Sequence, residues 1–272
     1  MANKLLTLAF VVCIAICICN VSRNKEAITY KSDAMSSKNC REITGTKVKK
    51  QVINITDIAV TKETVEKQPK AYSLDVKTIY QKPELPTGCE VTSLAMVLDY
   101  IGYSVTKTDL ADKYLKKAKP YADKTFNDAF MGSPYESTGW GCYSPVIVDT
   151  ASKYLKEIGE DKEYKAVDIS GASIEDIAHN IWLGNPVIAW VTINFDDSTD
   201  EEHFWTTPSG EKAKFTSGEH CVVVTGYDID KHELTINDPL SGIVHVKTDK
   251  FIRVYNKLHK QAVILEKSKH KN

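Results

Sequence analysis

The chain has 272 residues, 42% of them hydrophobic and 26% charged, with a formal net charge of −1. That is length and apolar content for one sizeable domain with extra segments, and the scattered lysines form no long basic block of the kind that grips nucleic acid. Seven cysteines occur without a Cys-x-x-Cys spacing, so neither a metal site nor a cofactor is expected.

The first element is an apolar run from Leu5 to Cys19, preceded by Lys4 and interrupted only by Thr7. It is shorter than the roughly 20 residues a membrane span requires and matches the apolar stretch of a secretory signal. No Ala-x-Ala cleavage pattern follows, and Ile16 is too large for the small residue of a lipoprotein box ending at Cys17. Residues 1–20 are therefore expected to export the chain, either as a signal peptide or as an N-terminal membrane anchor, which places it outside the cell or at the cell surface. Residues 21–72 are polar and rich in Lys, Thr and Ser and read as a linker, with "QVINITDIAV" as one short strand. One domain is expected over residues 73–268.

That domain begins with the strand-like "YSLDVKTIYQ", residues 72–81, and the Pro/Gly loop "KPELPTG". In "CEVTSLAMVLDYIG" the residues Val91, Leu94, Ala95, Leu98 and Ile101 recur with the period of an amphipathic helix. Thr87 and Glu90 have the spacing of a capping box, and Gly102 is the stop. Further helices are expected in "TKTDLADKYLKK", "PVIVDTASKYLKEIG" and "SIEDIAHNIWLG", with a Gly/Pro/aromatic loop around "GWGCYSP". Strands follow in "NPVIAWVTI", "HCVVVTGYDID", "ELTINDP", "GIVHVKTDKF" and "QAVILEK". Helices first and strands later predict an α+β domain with an antiparallel sheet.

Cys89 draws attention because a thiol in the first turn of a helix meets unpaired backbone N–H groups and the positive end of the helix dipole, which favour the nucleophilic thiolate. Such a nucleophile needs a base and an orienting group. Of seven histidines, His232, His259 and His270 sit among charged residues, His179 lies in a helix, His245 in a strand and His203 in an acidic loop. His220 differs, standing after Gly218 where an apolar strand begins. Asp238 ends the next strand, so a hairpin sets it beside His220. Gln81, at the end of the strand before the Cys89 loop, has an amide suited to hydrogen-bonding a developing oxyanion, as does the Cys89 backbone N–H. Cys221 is expected on the strand face opposite to His220. Pairing among Cys40, Cys142 and Cys221 is left open.

"YQKPELPTGCEVTSLAMVLDYIG", "GWGCYSPVIV", "NPVIAWVT", "GEHCVVVTGYD" and "INDPLSG" together resemble, in order, the bacterial peptidase C-39-like family, relatives of the double-glycine leader peptidases. The resemblance implies a papain-like cysteine protease fold, with N-terminal helices packed on a C-terminal antiparallel sheet. It implies Cys89 as nucleophile, His220 as general base and then acid, Asp238 as the group orienting the imidazole, and Gln81 in the oxyanion hole. Trp140, Gly141 and Tyr143 match the family's central loop, where they line the cleft or simply pack as core aromatics. The expected partner is a peptide or protein, cell-wall peptides included. The same chemistry serves hydrolysis, acyl transfer to an amine, or cell-wall amidase activity, and a non-catalytic peptide-binding module is the alternative from another class. Leader peptidases are fused to ATP-binding transporters. Here no G-x-x-x-x-G-K-[ST] phosphate loop exists, which speaks against assuming double-glycine cleavage.

Overall fold

The computed structural model describes residues 67–198 and 202–268. The readings made for residues 1–66, including the export segment, the linker strand and Cys40, lie outside them. Among the described residues no helix is long and apolar enough to cross a membrane.

In chain order the elements are β1 (Ala71–Ser73), α1 (Cys89–Tyr100) and α2, a short helix over Lys107–Asp109 that continues as a π-helical turn over Leu110–Tyr114. Next come the two-residue strands β2 (Lys117–Ala118) and β3 (Phe130–Met131), then α3 (Ser144–Glu157), β4 (Tyr164–Asp168), α4 (Ile174–Trp182) and β5 (Val187–Thr192). A hairpin of β6 (Glu202–Thr206) and β7 (Lys212–Thr216) precedes β8 (Glu219–Asp228), β9 (Glu233–Asp238), β10 (Gly242–Lys247), α5 (Thr248–Lys257) and β11 (Ala262–Lys267).

One large sheet runs β10-β9-β8-β5-β11-β4, with β1 also paired to β8, and every pairing in it is antiparallel. This is the expected α+β architecture. Helices cover both faces of the sheet. Leu94 and Leu98 of α1 and Ile147 of α3 pack with Trp190, Cys221 and Val223 on one side. Ile177 and Ile181 of α4, with Phe251 and Val254 of α5, pack with Val222, Val224 and Ile236 on the other. A strand covered on both faces has no polar side to show, which is why β5 and β8 read as near-continuous apolar runs.

Several expectations are corrected. α1 is enclosed all round rather than amphipathic: every residue from Cys89 to Leu98 is buried. Its polar side chains find partners inside, Thr92 Oγ1 donating to Gly88 O at 2.7 Å and Ser93 Oγ to Cys221 O at 3.1 Å. Of the strand expected over 72–81, only Tyr72 and Ser73 pair, with Tyr227 and Gly226 of β8. The helix expected in "TKTDLADKYLKK" stops at Tyr114. The strand in "GIVHVKTDKF" ends at Lys247 and turns into α5, whose apolar Phe251, Val254 and Tyr255 have helical spacing. β4 and the β6–β7 hairpin were not anticipated at all.

Candidate active site

The antiparallel pairing of β8 with β9 brings His220 and Asp238 together. Val223 faces Asn237, and the bulge falls later, between Val224 and Gly226. Asp238 is thus a diagonal neighbour of His220 on the same sheet face, within reach of long side chains. His220 Nε2 lies 2.8 Å from Asp238 Oδ1, with both residues buried. A carboxylate only accepts, so Nε2 carries the hydrogen and Nδ1 of the neutral ring keeps the lone pair. The same oxygen accepts the Leu240 N–H at 2.7 Å. Burial pushes the Asp238 carboxyl up, but the hydrogen bond and charge of His220 and the Leu240 and Ser241 backbone outweigh it and hold the group below its usual 3.8.

Cys89 is the first residue of α1, but Gly88 is the N-cap and no side chain caps the helix. The expected capping box is absent. Thr87 Oγ1 donates instead to Ser133 O and Glu136 O. Glu90 turns inward, where its Oε1 accepts the Cys142 N–H at 2.6 Å and its Oε2 accepts the Cys89 thiol at 3.4 Å.

The thiol is therefore directed to Glu90 and not to His220. It is 5% exposed. Burial first, then the charges of Glu90 and Glu219, push it well above the ordinary thiol range, against one favourable hydrogen bond from the Cys221 backbone. In this arrangement burial and two neighbouring carboxyl groups work against the thiolate that the helix mouth was expected to favour. The Cys221 contact nevertheless sets the thiol one peptide unit from His220. Cys221 itself lies on the α1 side of the sheet, packed in the same core as Cys89, while His220 shares the alternation of Val222 and Val224 on the other face. Cys89, Cys142 and Cys221 are all free thiols.

Gln81 joins the two halves of the site. Its N–H donates to Pro239 O at 2.9 Å, directly after Asp238, and its Nε2 donates to Pro86 O at 2.8 Å, shortly before Cys89. Its buried Oε1 has no hydrogen-bond partner. Trp140 and Tyr143 pack with Phe126 in an aromatic cluster that also takes in Trp205 and Phe215. Gly141 lies over the carboxyl groups of Glu90 and Glu219. Two clefts, of about 610 and 460 Å³, open elsewhere on the surface, and neither is lined by Cys89 or His220.

Glu90 and Glu219 are the residues that sequence reasoning missed. Glu90 passed for a cap, and Glu219 was not singled out. The available signal was a glutamate flanked by Cys89 and Val91 in a helix without a polar face.

The Peptidase_C39 like family model matches residues 73–263. The uncharacterized protein YvpB of Bacillus subtilis (strain 168) is 38% identical over 190 residues, 68% of this chain and 71% of its own. The crystal structure of a candidate C39-like peptidase from Bacillus anthracis superimposes with a TM-score of 0.63 at 36% identity, covering 72% of this chain and 96% of that one. The peptidase domain of Streptococcus ComA, a bi-functional ABC transporter, is a weaker likeness, with 15% identity and a TM-score of 0.40 over 71% of this chain and 98% of that one.

Proposed function

The chain belongs to the Peptidase_C39 like family, and on that premise we propose that it is a cysteine peptidase working through Cys89, His220 and Asp238. The observation that carries the reading is the 2.8 Å bond from His220 Nε2 to Asp238 Oδ1, formed one residue from the backbone that touches the thiol.

In this reading the Cys89 side chain turns about χ1, leaving Glu90 for the lone pair of His220 Nδ1. His220 takes the thiol proton, and the thiolate sulfur attacks the peptide carbonyl carbon. The oxyanion is met by the Cys89 backbone N–H, unpaired at the start of α1, and by the Gln81 amide after it releases Pro86. The imidazolium, held by Asp238, gives its proton to the leaving amine, and water then hydrolyses the thioester.

The substrate is a peptide or protein, cell-wall peptides included. Export through residues 1–20 is part of the same proposal, supported by the apolar run from Leu5 to Cys19. It is tested by fractionating cells that express a C-terminally tagged chain.

The chemistry is tested by incubating the purified chain with a peptide library and following cleavage and acyl-enzyme mass by mass spectrometry. Wild type is expected to cleave and to gain an acyl adduct on Cys89, whereas Cys89→Ala and His220→Ala fall by at least about 10³-fold. Cleavage that survives Cys89→Ala ends the proposal. Product analysis with added amine separates hydrolysis from transfer.

A further inference from the structure

Beneath Gly141 the fold gathers three groups that each want a positive partner. Glu90 is fully buried and Glu219 is 7% exposed. The Cys89 Sγ and one carboxyl oxygen from each glutamate all lie within 4.8 Å of one another. Among the described residues no lysine, arginine or histidine side chain stands beside the carboxyl group of either glutamate. Glu90 is satisfied by the Cys142 N–H, but Glu219 Oε1 is buried with no hydrogen-bond partner. An orphaned carboxyl oxygen at this depth is costly and calls for a proton or a ligand.

The wall over these groups is shaped to them. Gly141 adopts φ 119, and a Cβ there would stand 2.8 Å from both Glu219 Oε2 and Glu90 Oε1. Two buried carboxyl groups side by side are unfavourable as carboxylates unless a cation stands with them.

We propose that Cys89, Glu90 and Glu219 form a site for a zinc-type divalent cation. The donor set selects the class. A thiolate disfavours magnesium and calcium, while one sulfur and two carboxylate oxygens with an open fourth position suit zinc and its cobalt surrogate. Sulfur and oxygen ligands at tetrahedral zinc stand about 3.5 Å apart, from bond lengths of about 2.3 and 2.0 Å, and the Cys89 Sγ to Glu90 Oε2 separation is 3.4 Å. On binding, the thiol proton and any proton held by the two carboxyl groups leave to solvent, and one metal–sulfur and two metal–oxygen bonds form. No Cys-x-x-Cys spacing foreshadows this site because its ligands come from α1 and β8. The site stands apart from the peptidase reading, but its consequence rests on it: a thiolate held by metal cannot attack, so the cation is a reversible inhibitor.

The test is titration of the full chain, first stripped with EDTA, with Co²⁺, following the thiolate-to-cobalt charge-transfer absorption in the near ultraviolet. One equivalent is expected to develop the band and Zn²⁺ to abolish it. Cys89→Ser removes the band, Cys142→Ser keeps it, and Glu219→Gln weakens Co²⁺ binding by at least about tenfold, with circular dichroism confirming that each variant is folded. No band in the folded wild-type chain overturns the site. So does a band unchanged in Glu219→Gln, or one that follows Cys142 instead of Cys89; the two carboxyl groups then share only a proton. Peptide hydrolysis by a chain that shows no band would remove the metal site and leave the peptidase, whereas a Cys89-dependent band in a chain that cleaves nothing would do the reverse.

Discussion

Two buried carboxyl groups, Glu219 of β8 and Asp238 of β9, lie on opposite faces of the sheet near the start of β8, and the fold treats them in opposite ways. On the face with Val222, Asp238 meets His220 and the Leu240 N–H, and its acidity is strengthened although burial works against it. On the face toward α1, Glu219 meets another carboxyl and a thiol, one of its oxygens has no donor, and its acidity is weakened. Both are shielded from solvent, but Glu219 is packed more deeply than Asp238 and lacks its donors, so desolvation sets its direction while hydrogen bonds set that of Asp238.

The sharpest way to break the contrast is to remove charge from the satisfied side. Asp238→Asn keeps the shape but no longer dictates which imidazole nitrogen carries the hydrogen. Under the peptidase reading kcat should fall by about 10²–10⁴-fold with little change in KM, measured as steady-state peptide cleavage. A change in KM alone would place Asp238 in substrate binding.

Removing charge from the unsatisfied side should act on stability. Glu90 binds its proton up to about 7 in the fold, against 4.5 ordinarily. Between those values the native chain holds more protons than the unfolded one, so stability falls as pH rises through the window. In EDTA, urea midpoints of the wild type should drop from pH 5 to pH 8, Glu90 alone contributing the equivalent of about 2–3 kcal/mol. Glu219→Gln should flatten that slope by removing a second raised carboxyl, and an unchanged slope would show that Glu219 takes up no proton in this window. Asp238 has the opposite sign: its contribution is present above its ordinary 3.8 and is lost as pH falls through its depressed folded value.

The smallest effect is expected at the wall. Gly141→Ala puts a methyl 2.8 Å from both carboxyl groups at a φ of 119, and should cost about 1–3 kcal/mol, read as a shift of the urea midpoint at pH 7. A neutral substitution would mean that the loop lifts easily off the pair.

The better-satisfied side was also the more legible one. His220 and Asp238 sit at a strand start and a strand end marked by Gly218 and Pro239, and alternation with hairpin pairing brings such positions together without knowledge of the rest of the fold. Cys89 was visible for the same local reasons. The Glu90–Glu219 meeting is a product of α1 lying against β8, which no local pattern encodes, and a glutamate three residues after Thr87 invites the capping reading that the inward turn of its side chain refutes. α5 was missed although the polar run Lys247-Thr248-Asp249-Lys250 breaks the alternation of β10 and Phe251, Val254 and Tyr255 carry a helical period. The β6–β7 hairpin bears charged residues on three of its ten positions, and the alternation of Lys212, Ala213, Lys214, Phe215 and Thr216 is too short to separate it from loop.

Cys142 has both of its backbone polar groups tied to side chains of the core, its N–H to Glu90 and its C=O to the Trp190 indole at 2.8 Å. The next residues toward the N-terminus are laced to β3, with Met131 N–H on Gly141 O and Trp140 N–H on Met131 O. The segment has the sequence of an irregular loop and the attachment of a sheet. Its amide protons should therefore exchange with deuterated solvent as slowly as those of β5, through global opening of the domain and not local fraying. The segment above the thiol is thus a fixed wall, and access to Cys89 has to be made by something other than its swinging aside.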